Sequence, residues 1–155
     1  MDVQFINPVL RAVNEILVTM AQLEVKPGRV RKKEHDEAVS CKSVTGLMGM
    51  SSKEARASIA LTFTEPVILD IASNMLHESK HSIDGIVIDL VGELANMVMG
   101  GAKRNLEEDG YSFNLTLPTV IMGCEYLIAH RTKAPVIILP FGDFFVEASY
   151  EQIKQ

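Results

Sequence analysis

The chain has 155 residues, 47% of them hydrophobic and 23% charged, with a formal net charge of −5. That length is enough to bury a core in one domain, spanning residues 1–155. The acidic balance argues against a nucleic-acid binder, whose phosphate contacts need a basic surface. Cys41 and Cys124 are too few and too far apart for a disulfide framework or a zinc ribbon. The opening "MDVQFINPVL" has an early Asp and no basic leader, and no run of about 20 apolar residues escapes polar interruption. The expectation is a reduced cytoplasmic protein with two free thiols and no membrane span.

Along the chain, "INPVLRAVNEILVTMAQL" (6–23) carries apolar residues at helical spacing, with Asn7 and Pro8 as cap and first-turn residue. The basic run "KPGRVRKKEH" (26–35) is read as a solvated hairpin or strand edge rather than a functional patch. "SVTGLMGMS" (43–51) and "ARASIALTFT" (55–64) read as strands, and "EPVILDIASNMLH" (65–77) as a helix. A long helix runs from Ile83 to about Glu108, capped by Ser82 and stopped at Gly110. Four strands follow: "FNLTLPTVIMG", "EYLIAHRT", "APVIILPF" and "FFVEASYE". The pattern predicts an α+β fold in which a mainly antiparallel sheet packs with long helices.

Ile83, Val87, Leu90, Val91, Leu94, Met97 and Val98 share one arc of the long helix, its expected buried face. Opposite them fall Asp89, Glu93, Asn96, Gly100, Lys103 and Glu107, with Gly85 and Gly92 at the border. Stability alone would not choose such a stripe. Asp89 and Glu93 are like charges at i, i+4, glycine costs up to about 1 kcal/mol relative to Ala, and a mid-helix Asn competes for backbone hydrogen bonds. Glycines beside short polar groups leave a shallow trough that another protein can approach closely.

"HESKH" (77–81) matches the zinc-protease pattern H-E-x-x-H. Zinc chemistry requires one continuous helix and a third ligand, whereas this segment falls between two predicted helices, so it reads as a loop and no metal site is expected. His35 and His130 have no partner that spacing identifies. Cys124 reads as a turn residue, and Met97, Met99 and Met122 as core filler.

The stripe Asp89-Leu-Val-Gly-Glu93-Leu-Ala-Asn96, followed by Met97 and Gly100-Gly101, resembles the signature of the CheC/CheX/FliY phosphatase family of bacterial chemotaxis. "FINPVLRAVNEILVTMAQLEVKPG", "VTGLMGM", "ASIALTF", "NML", "GGAK", "LPTVIMG" and "FFVEASYE" are similar to family segments in family order. On the first helix the corresponding turn, Arg11 to Val18, has Glu15 but neither the Asp nor the Asn, and a single motif is the CheX-like arrangement.

The resemblance implies a CheX-like fold and hydrolysis of the aspartyl phosphate of a CheY-like response regulator. It implies that Asn96 positions the attacking water and that Glu93 pairs with the regulator's active-site Lys. Asp89, Gly92, Gly100 and Lys103 would lie in the partner interface. It further implies Mg²⁺ on the partner rather than on this chain, and a homodimer. The rival is a non-catalytic docking or binding protein of the flagellar switch or chemotaxis system with the same fold, and Asn96 discriminates, because a docking surface alone has no need of an amide there.

Overall fold

In a computed structural model, which describes residues 3–22 and 26–154, three helices cover one face of a single antiparallel sheet. Helix α1 (Val3–Ala21) is followed by a two-residue edge strand, β1 (Arg31–Lys32), then by β2 (Ser43–Ser51) and β3 (Ala55–Thr64). Helices α2 (Glu65–Leu76) and α3 (Gly85–Glu108) come next, and β4 (Asn114–Leu115), β5 (Thr119–Gly123), β6 (Ile137–Pro140) and β7 (Phe144–Gln152) complete the chain. The strand order is β1-β6-β7-β3-β2-β4, with β5 also paired to β2. The α+β reading therefore holds, and the bounds of β2 and β3 match the predicted ones.

Alternation divides the sheet into two faces. Val44, Met48, Met50, Ile59, Leu61, Phe63, Val146 and Ala148 are buried in the main core with the apolar faces of α1 and α3. Two glycine contacts set the position of α3 there. A Cβ on Gly46 would lie 3.0 Å from the Ala95 Cβ, and one on Gly101 would lie 3.2 Å from the Ala12 Cβ. The backbones of β2 and α1 thus approach α3 more closely than side chains would permit. Gly46→Ala is expected to cost roughly 1–3 kcal/mol, because the added methyl overpacks a seam that has no flexible neighbour to yield; urea denaturation of the purified variant measures it.

Several sequence expectations are corrected. α1 begins at Val3, so Pro8 lies inside it rather than at its first turn. Phe5 is buried and stacks on Tyr150 with ring centroids 4.7 Å apart, and that burial draws the helix back past the proline. Leu23, the last apolar position assigned to this helix, lies outside the described residues. The cap of α3 is Asp84, not Ser82: its Oδ1 accepts from the Val87 N–H at 3.0 Å. "FNLTLPTVIMG" is two strands broken around Pro118, and "EYLIAHRT" forms none beyond one bridge between Val39 and Tyr126. Glu125 turns the chain with φ 53°, and the segment after it crosses the outer face of the sheet instead of extending it.

That outer face is where the sequence was most misleading. The basic run was expected to be solvated, yet the Lys33 side chain is only 6% exposed, and its ammonium lies 2.6 Å from an oxygen of Glu147, whose side chain is 2% exposed. The other carboxylate oxygen is 2.9 Å from His130 Nε2. Lys33 also donates to the Ile128 carbonyl at 3.1 Å, and His130 Nδ1 bonds Ser58 Oγ at 2.7 Å. Each buried charge is thereby paired and hydrogen-bonded, the condition under which burial is tolerated.

Candidate functional site

The long helix α3 carries the candidate site. It starts where Asp84 supplies an acceptor to its first turn, and that carboxyl is held below its ordinary range first by the Val87 N–H and then by the Lys80 ammonium. By length and composition alone α3 could cross a bilayer, but half of its apolar stretch is buried in the protein, between α1 and the sheet. The buried side is wider than the predicted arc, since Ala95, Met99, Ala102 and Leu106 belong to it as well. Two neighbours demand this: β2 takes Val91 and Ala95, and α1 takes Gly101.

Asp89, Glu93 and Asn96 are exposed on the remaining face. Glu93 and Asn96, at i, i+3, are neighbours on consecutive turns, about 5–6 Å apart at Cβ. Among the described residues neither has a hydrogen-bond or ion-pair partner. A carboxylate and a carboxamide thus stand side by side on a rigid element with their hydrogen-bonding capacity unspent. Such a pair can accept from an ammonium and orient a water.

The flanking residues divide. Gly100 is half-buried, and an added Cβ there would meet nothing within 4 Å, so no other segment covers the helix surface at this position, one turn beyond Asn96. Gly92 is different. It is buried under Pro118 and Val120, at 3.9 and 3.7 Å from an added Cβ, so it faces this chain's own β5 segment rather than an open trough. The helical wheel could not show that, because the covering strand comes later in sequence. Lys103 is half-buried and pairs loosely with Glu107 at 3.7 Å on the next turn. Gly100→Ala is expected to stabilise the protein by about 0.5–1 kcal/mol through helix propensity, seen as a higher urea midpoint.

The H-E-x-x-H segment lacks the continuous helix that pattern needs. α2 ends at His77 with φ 54°, a left-handed residue, and Lys80 ties the following loop down through Asp84 at 3.1 Å and Glu78 at 3.3 Å. Cys41 and Cys124 are exposed free thiols. Of the three methionines read as core, Met99 is buried, Met97 packs at its border, and Met122 is 48% exposed on the edge strand β5. Sequence reasoning missed the His130–Glu147–Lys33 cluster because its members are 17 and 114 residues from Glu147; the one available signal was an acid inside an otherwise apolar strand.

Comparison with known proteins follows the same line. Residues 44–142 match the family model described as chemotaxis phosphatase CheX. The chain is 26% identical over 149 residues to the CheY-P phosphatase CheX of Thermotoga maritima, covering 95% of this chain and 92% of that one. It superposes on a crystal structure of a CheC-like superfamily protein from Shewanella sp. PV-4 with TM-score 0.88 and 41% identity, over 97% of this chain and 99% of the other. It shares its fold, at 20% identity and TM-score 0.73 over 97% and 98% of the two chains, with the Borrelia burgdorferi protein solved as a CheX–CheY–BeF3–Mg²⁺ complex.

Proposed function

The chain belongs to the chemotaxis phosphatase CheX family, and we propose that it hydrolyses the aspartyl phosphate of a CheY-like response regulator with Asn96 and Glu93. The observation that carries the reading is the pair itself: an exposed amide and an exposed acid on adjacent turns of α3, neither engaged within the described residues.

Hydrolysis of an acyl phosphate needs a water in line with the breaking P–O bond and charge stabilisation around the phosphoryl oxygens. A carboxamide meets the first need. Its oxygen accepts from water while its nitrogen donates, and it takes no proton at neutral pH, so Asn96 contributes orientation and not base catalysis. Glu93 meets a docking need. One turn away, its carboxylate pairs with the ammonium of the regulator's active-site Lys and sets the register of the amide. Asp89 and Lys103 extend the interface, and Gly100 keeps its floor low. Mg²⁺ belongs to the regulator in this reading; the complex solved for the Borrelia protein contains CheX, CheY, BeF3 and Mg²⁺ together.

The test is the decay of a phosphorylated CheY-like regulator in Mg²⁺ buffer, with and without this protein. Acceleration is the expected result. Complex formation with unchanged decay would favour the non-catalytic docking reading. Gly100→Ala, though more stable, is expected to bind the BeF3-activated regulator more weakly, because its methyl stands up from the helix surface the regulator approaches. The reading includes a homodimer, for which the sheet offers edges at β1 and at β4 and β5; sedimentation equilibrium should give twice the 17.1 kDa chain mass.

A further inference from the structure

The outer face of the sheet holds a cleft of about 510 Å³, a size that suits a small-molecule site. β2 and β3 form its floor, and the stretch 116–119 and the segment 129–132 form its walls. Leu47, Leu117 and Ala129 supply apolar surface, while Arg56 and Arg131 line it with exposed guanidinium groups that have no acid partner among the described residues. On a chain of net charge −5 the two arginines, with Lys133 and Lys154 beside them and Glu151 as the one acid of the adjoining depression, make this end of the cleft locally basic.

The hydroxyl groups of the cleft are polarised by what lies behind them. His130 Nε2 faces the Glu147 carboxylate at 2.9 Å, an acceptor, so that nitrogen carries the proton. Ser58 Oγ lies 2.7 Å from His130 Nδ1 and lines the cleft beside it. Ser149 spends its hydrogen on the carbonyls of Ala134 and Pro135 at 3.2 and 3.3 Å. Thr132 therefore donates to Ser149 and also presents lone pairs. Thr116 is the opposite case: its Oγ1 accepts from the Gly49 N–H at 2.8 Å, so its own hydrogen is free for the cleft.

From this arrangement we infer that the cleft binds a small organic molecule carrying an oxyanion, a hydrogen-bond donor and an apolar body. The oxyanion meets Arg56, Arg131 and Thr116. The donor meets the lone pairs of Thr132, with the Ser58 hydroxyl beside them, and the apolar body lies against Leu47 and Leu117. A carboxylate or a phosphomonoester fits the first requirement equally. The site is separate from Glu93 and Asn96 and does not depend on the phosphatase reading.

The experiment is a titration of the uniformly ¹⁵N-labelled full chain with L-phenylalanine and, separately, with adenosine monophosphate, followed by amide chemical shifts. Adenosine and phenylalaninamide, which lack the oxyanion, serve as controls. Saturable shifts at Ser58, Thr116, Thr119 and Arg131 with either oxyanion support the site, and which of the two binds distinguishes carboxylate from phosphate. Arg56→Gln with Arg131→Gln should weaken that binding about tenfold or more while leaving the unliganded spectrum dispersed. The inference is overturned if neither compound shifts these amides, if the controls bind equally, or if binding survives the double substitution. It is also overturned if the same amides move on simple dilution, which would mean that a second copy covers the cleft.

Discussion

Asn96→Ala is expected to slow catalysed hydrolysis roughly 100-fold at saturating phosphorylated regulator, the usual cost of losing one positioning contact at the reacting centre. The Asn96 side chain is exposed and has no partner among the described residues, so its removal should not lower the melting transition, and the better helix propensity of Ala should raise it slightly. The complex with the BeF3-activated regulator should form with nearly unchanged affinity. Glu93→Ala should divide the other way: one lost charge-assisted bond weakens the complex by about 10- to 100-fold and raises KM, while turnover at saturation falls less. Raising the salt concentration should reduce the difference between wild type and Glu93→Ala and leave the Asn96→Ala defect unchanged, since screening acts on an ion pair and not on the orientation of water. Equal losses of binding and turnover from both substitutions would refute this division of roles.

Glu147→Ala is expected to be the most damaging single change to stability, at about 3–5 kcal/mol and roughly 10 °C in Tm. The carboxylate receives Lys33 at 2.6 Å and His130 at 2.9 Å, and all three side chains are 6% exposed or less. Truncation leaves an ammonium in an apolar setting with only the Ile128 carbonyl as a partner. Lys33→Met combined with Glu147→Gln should recover much of the loss, because the charge disappears from both sides while the amide oxygen can still accept from His130. Differential scanning calorimetry of the two variants makes the comparison; a double variant no better than Glu147→Ala would show that packing, not the stranded charge, carries the cost.

Local signals in the sequence were reliable where one element decides its own conformation. The alternation of "ARASIALTFT", the Glu65-Pro66 start of α2 and the Gly110 stop after α3 all appear as read, with Gly110 at φ 90°. The exposed line Asp89, Glu93, Asn96 also follows from helical spacing alone. Signals failed where a distant segment decides. Phe5 draws α1 past Pro8 because Tyr150 waits in the last strand. Gly92 is covered by Pro118 and Val120, and Lys33 is buried because Glu147 faces it from β7. "EYLIAHRT" has strand composition but spends its polar groups on the sheet's outer surface, with Tyr126 bonded to Thr45 at 2.7 Å and His130 to Ser58.

The glycine seams at Gly46 and Gly101 bear on the site as well as on packing. With the axis of α3 held at backbone distance on two sides, a slide by one turn or a rotation would drive a methyl into main chain. The exposed line Asp89, Glu93 and Asn96 therefore rides on a helix whose position relative to β2 and α1 is fixed by close packing rather than by adjustable side chains.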